Sequence, residues 1–103
     1  MVKQITAKEL FEKINSGEKV NIIDVREETE VAAGAIPGAK HIPLGEIPLR
    51  LHELKKEEHY YFICRSGARS WNACFYLTQL GYNVTNIAGG MLEWEGEVVQ
   101  QTR

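Results

Sequence analysis

Short apolar runs alternate along the chain with longer stretches in which apolar residues recur every three or four positions. Residues 2–6 form the first short strand candidate. Thr6 followed by Glu9 is a capping-box signal, opening a helix to about Ser16 with Ala7, Leu10, Phe11 and Ile14 on its buried side. Residues 20–24, compact and rich in β-branched side chains, have the pattern of a buried strand. The acidic stretch that follows predicts a short helix reaching Ala33. Gly, Pro and Gly then punctuate a third strand at about residues 39–42. Ile47, Leu51 and Leu54 recur at helical spacing, where Pro48 is tolerable only in a first turn.

Residues 59–64 (HYYFIC) read as a fourth, central strand. A helix follows from near Ser70, with Ala73, Leu77 and Leu80 on its buried face and Gly81 placed for a left-handed cap. Residues 83–87 predict a fifth strand. The end of the chain supplies a glycine turn and a short helix or cap packed through Met91, Leu92 and Trp94. Strands alternating with helices predict an α/β fold, a mostly parallel sheet of about five strands with helices on both faces.

Composition narrows the function classes. At 103 residues the chain reads as one domain, residues 1–103, near the small end of what folds unaided. A formal charge of −2 gives no reason to expect nucleic acid. No apolar stretch is long enough to span a bilayer, and the N-terminus lacks the apolar core of a signal peptide, so a cytoplasmic protein with no membrane contact is expected. Two cysteines are too few for a disulfide scaffold, and neither has a Cys or His at ligand spacing, so no metal site is expected.

The candidate chemistry sits where the fourth strand gives way to a helix. Ligands of open α/β sheets bind beyond the carboxyl ends of the strands, where Cys64 falls. Arg65, Ser66, Gly67, Ala68 and Arg69 can curl with backbone N–H groups inward, Gly67 relaxing the dihedral constraint. The helix beginning near Ser70 adds orphan N–H donors and a positive dipole end. Each feature favours thiolate over thiol. A free cysteine is otherwise most often a packing residue, but such a residue has no need of arginines on each side of a Ser-Gly-Ala loop.

These residues bring out a resemblance. The loop CRSGARS, the strand end NIIDVRE, the segment GAIPGAKHIPL and the ending AGGMLEW occur in the order of the rhodanese family of sulfurtransferases, from Asn21 to Trp94. The resemblance implies a rhodanese-like fold in which Cys64 accepts a sulfane sulfur as a persulfide. Residues Arg65, Ser66, Gly67, Ala68, Arg69 and Ser70 would then cradle a small anionic sulfur donor such as thiosulfate. A thiol or cyanide acceptor would remove the sulfur, without metal or cofactor. A protein persulfide donor, such as a cysteine desulfurase, and a thioredoxin-like acceptor are the implied protein partners. Two positions depart from the family pattern: Ala35 stands where His is usual, and Val31 where an aromatic residue is common.

Two other readings stay open. A phosphatase or arsenate reductase would use Cys64 as a thiolate, but cysteine-dependent phosphatases place their arginine one residue further on than Arg69, around a bulkier phosphoryl group. A docking module would keep the fold without turnover. Outside the loop, Cys74 reads as core packing, too far along its helix to serve as a resolving thiol. Asp24 and Arg26 read as structural, the arginine pairing with an acid such as Glu30. His41, His52 and His59 share no metal-building spacing. Trp71 could wall the pocket or pack on neighbouring loops.

Overall fold

The computed structural model describes residues 1–101. Five strands form one parallel sheet: β1 (Lys3–Thr6), β2 (Asn21–Asp24), β3 (Lys40–His41), β4 (His59–Ile63) and β5 (Asn83–Ala88), in the order β1-β5-β4-β2-β3. The helices are α1 (Ala7–Asn15), α2 (Glu28–Ala33) and α3 (Ala68–Gln79), with 3-10 segments at Leu44–Leu49, Leu51–Glu53 and Gly90–Glu93. The α/β architecture expected from the alternation is present, with β4 at its centre.

Side chains of successive strand residues point to opposite faces, so a sheet covered on both sides needs two cores. Ile23, Tyr60, Phe62 and Val84 pack with Ala73, Cys74 and Leu77 of α3 on one face. Ile22, Tyr61, Ile63 and Ile87 pack with Ala7 and Leu10 of α1 on the other. Thr6 caps α1 as its sequence predicts: its hydroxyl accepts from Glu9 N–H at 3.0 Å, and the Glu9 carboxylate accepts from Thr6 N–H at 2.9 Å.

Several local expectations are corrected. Residues 44–53 form 3-10 turns rather than one α-helix, and Pro48 lies inside the first of them. Proline has no N–H for an i→i−4 bond, and the tighter turn still buries Ile47. Leu80 lies beyond the last residue of α3 and is 40% exposed, and Leu92 is 62% exposed. Arg26 pairs with Asp24 and not with Glu30: Nη2 donates to Asp24 Oδ2 at 2.8 Å and to the Gly34 carbonyl at 2.7 Å.

That pair is buried at the carboxyl edge of the sheet, where Asp24 Oδ1 also accepts from the Arg26 backbone N–H at 3.0 Å. Removing one member of a buried pair strands the other charge. Asp24→Ala is therefore expected to destabilise the protein by about 3–5 kcal/mol, read as a lowered urea midpoint at unchanged slope. A loss below about 1 kcal/mol would show that Arg26 finds water instead.

Candidate active site

Cys64 lies immediately past the carboxyl end of β4, and α3 begins four residues later. The helix starts at Ala68, two residues before the expected Ser70, because Gly67 adopts φ +103° and turns the chain directly into it. That early start makes Ser70 the third helical residue, whose N–H has no intrahelical acceptor. Gly67 has no side chain to cap it. The Cys64 sulfur takes that place: Sγ accepts from Gly67 N–H at 3.1 Å, from Ser70 N–H at 3.3 Å and from the Ser70 hydroxyl at 3.2 Å.

The electrostatics oppose one another. Cys64 is buried, and burial pushes its thiol up; the Ser70 hydroxyl, then the backbone N–H groups of Ser70, Gly67 and Ser66, pull it down, and the donors prevail. The pKa therefore falls below the ordinary thiol value. Cys74 shows the contrast: buried in the same core cluster with no such donors, it is pushed up to about 12, by burial first and then by the field of Cys64. The donors favour the thiolate at Cys64, and burial favours the thiol at Cys74.

The rest of the predicted loop divides by role. Gly67 and Ser70 touch the sulfur directly. The Arg69 guanidinium turns to α2, where its Nη1 and Nη2 donate to the two Glu30 carboxylate oxygens at 2.7 and 2.8 Å. That partner holds the Glu30 carboxyl down at about 2. Arg65 and Ser66 are exposed, and Arg65 lines a groove with Arg26, Glu30, Ala33, Met91 and Leu92. Ala68 is the first residue of α3 and is exposed. Trp71 stacks on Phe75 one turn along, ring centroids 5.3 Å apart, and both remain partly exposed.

Two supports escaped the sequence reading. Asn86 of β5, buried behind the loop, donates Nδ2 to the Gly67 carbonyl at 3.1 Å. The residues after β5 grip the loop through main chain alone: Met91 N–H donates to the Cys64 carbonyl at 2.8 Å and Leu92 N–H to the Arg65 carbonyl at 3.0 Å. At Gly90, φ +54°, an added Cβ would collide with both carbonyls. The glycine pair was legible as a turn, but its tight approach to Cys64 was not.

His41 and His59 bond to the Arg26 carbonyl and the Thr85 hydroxyl, each at 2.7 Å. Among the described residues no three His, Cys, Asp or Glu side chains gather as a metal site.

If the hydroxyl of Ser70 helps hold the ionised sulfur, Ser70→Ala should raise the Cys64 pKa by about one unit, the worth of one hydrogen bond to a charged group. The check is the pH dependence of iodoacetamide alkylation, whose midpoint should move up by that amount. An unmoved midpoint would assign the whole effect to the backbone donors.

Comparison with known proteins identifies the family. Residues 6–97 match the family model described as a rhodanese-like domain. A Bacillus subtilis protein, YtwF, carries a sulfurtransferase name and is 50% identical over 96 residues, which span 93% of each chain. A sulfurtransferase of Allochromatium vinosum is 41% identical over 95 residues, covering 91% of this chain and 89% of its own. The crystal structure of a rhodanese-like domain protein from Staphylococcus aureus superposes with a TM-score of 0.92 at 39% identity, over 98% of this chain and 100% of that one. With residues 6–97 matched to the family model and its fold shared with a solved rhodanese-like domain protein, the chain belongs to the rhodanese-like domain family.

Proposed function

We propose that the protein is a rhodanese-type sulfurtransferase that carries sulfane sulfur as a persulfide on Cys64. The observation behind this reading is the convergence of Gly67 N–H, Ser70 N–H and the Ser70 hydroxyl on one buried sulfur. A thiolate so held is a nucleophile that needs no separate base. It attacks the outer sulfur of thiosulfate, of a polysulfide or of a donor persulfide. The new Sγ–S bond forms as the donor's S–S bond breaks, and the electron pair leaves with sulfite or with the donor thiolate. A thiol or cyanide then takes the outer sulfur and returns the Cys64 thiolate. The same donors that hold the thiolate can hold negative charge on the outer sulfur of the persulfide.

The sulfurtransferase names of the two bacterial relatives support this reading over a phosphatase, as does the arginine at position 69. A human relative, 34% identical over 105 residues, is named a thiosulfate:glutathione sulfurtransferase, which supports a small thiol as acceptor. The exposed Trp71–Phe75 stack, on the first turns of the helix that follows the loop, offers a landing place for a protein persulfide donor or a thioredoxin-like acceptor. Two free cysteines suit a reducing compartment, and we place the protein in the cytoplasm. No helix among the described residues is long and apolar enough to cross a membrane.

The test is intact-protein mass spectrometry before and after thiosulfate or polysulfide, with Cys64→Ser alongside and cyanide added last. A gain of one sulfur that requires Cys64 and disappears with cyanide is expected. No gain from any donor would make the chain a docking module on the same fold.

A further inference from the structure

Three arginines lie beside the Cys64 loop, and the structure neutralises two of them. Arg26 is buried against Asp24, and Arg69 is clasped by Glu30 through both carboxylate oxygens. Arg65 is exposed and forms no ion pair among the described residues. Glu30 and Arg69 are the partly exposed pair of the two, so the charge at the rim depends on a contact that substitution can undo without opening the core.

The groove beside the loop is not purely polar. Ala33, Met91 and Leu92 line it together with Arg65 and Glu30. Met91 and Leu92 cannot drift from the loop, because their own N–H groups bond to the Cys64 and Arg65 carbonyls. Leu92 is nonetheless 62% exposed, an apolar surface held at the rim.

Thiosulfate, a dianion with no apolar surface, matches neither feature. One uncompensated arginine beside a fixed aliphatic surface suits a donor with one negative charge and a hydrocarbon body. We propose that Glu30, by neutralising Arg69, sets this site to prefer organic, singly charged sulfane-sulfur donors over thiosulfate, with Leu92 and Met91 receiving the organic body. This rests on the reading that Cys64 accepts sulfane sulfur. For an alkanethiosulfonate the step balances without a proton or an oxidant. The Cys64 thiolate bonds to the outer sulfur, the donor's sulfur–sulfur bond breaks, and its electron pair leaves with the sulfinate; the second negative charge stays on the Cys64 persulfide.

Glu30 acts here through Arg69 and is a positioning residue, so its test must separate charge selection from support. The rate of Cys64 sulfuration is followed by quenched mass spectrometry with thiosulfate, methanethiosulfonate and hexanethiosulfonate, in wild type, Glu30→Gln, Glu30→Asp and Leu92→Ser. Wild type is expected to favour hexanethiosulfonate, then methanethiosulfonate, then thiosulfate. Glu30→Gln should raise kcat/KM for thiosulfate by about three- to tenfold through KM, the size of one partly screened charge, with a smaller change for the monoanions. Glu30→Asp should retain the wild-type order, and Leu92→Ser should close the gap between the two thiosulfonates.

Thiosulfate equal to or better than the thiosulfonates in wild type would overturn the proposal. So would a Glu30→Gln variant that slows all three donors in proportion, the mark of a strap that only supports the loop. Iodoacetamide alkylation of Cys64 in each variant reports whether the loop is intact, and an intact loop with unchanged selectivity also counts against it. If no donor sulfurates wild-type Cys64, the sulfurtransferase reading falls and this one with it; sulfuration without discrimination sinks only this one.

Discussion

A helix needs acceptors for its first N–H groups, and in this protein one of those acceptors is the sulfur of Cys64. Gly67 lets α3 begin so abruptly that no side chain of its own can serve, leaving the Ser70 N–H to find Sγ at 3.3 Å, with the Ser70 hydroxyl beside it at 3.2 Å. Local helix capping and thiolate stabilisation are thus the same contact. A buried cysteine would ordinarily resist ionising, and the donors reverse that tendency only while the loop keeps its shape.

The surroundings can be understood as what keeps that shape. Asn86 fixes the Gly67 carbonyl from β5, and the Met91 and Leu92 N–H groups fix the two carbonyls at the start of the loop. Gly67 and Gly90 lie where backbone approaches backbone, each at positive φ, so a side chain at either would meet both crowding and backbone strain. The loop is gripped mainly through its peptide groups. Its side chains remain free for other tasks: Arg69 ties the loop to α2, and Arg65 faces solvent. Cys74, packed on the same helix, has none of these donors and serves as a small apolar filler.

Much of this was legible in the sequence. The alternation of runs gave the five strands, and the capping box at Thr6 and Glu9 marked the start of α1 to the residue. Cys64, Gly67 and Ser70 could be nominated from a cysteine at a strand end, a glycine and a helix start. What escaped was set by geometry between distant segments. Glu30 was paired with Arg26 on proximity along the chain, yet the fold sends Arg26 back to Asp24 and brings Arg69 across to Glu30. Asn86 looked like an ordinary strand residue, because nothing local announces that its amide reaches Gly67. Spacing alone also overstated the helix around Pro48 and the burial of Leu80 and Leu92, where proline and a helix end changed which face turned inward.

The central claim is that hydrogen bonding outweighs burial and draws the Cys64 pKa below that of an ordinary thiol. The most direct measurement is a pH titration of thiolate ultraviolet absorbance for the wild type against Cys64→Ser. The difference should titrate clearly below the value of an ordinary thiol, and Cys74 should contribute nothing until the pH is strongly alkaline. A difference titrating at or above the ordinary thiol value would mean that burial wins, and the loop would then hold a packed thiol rather than a nucleophile.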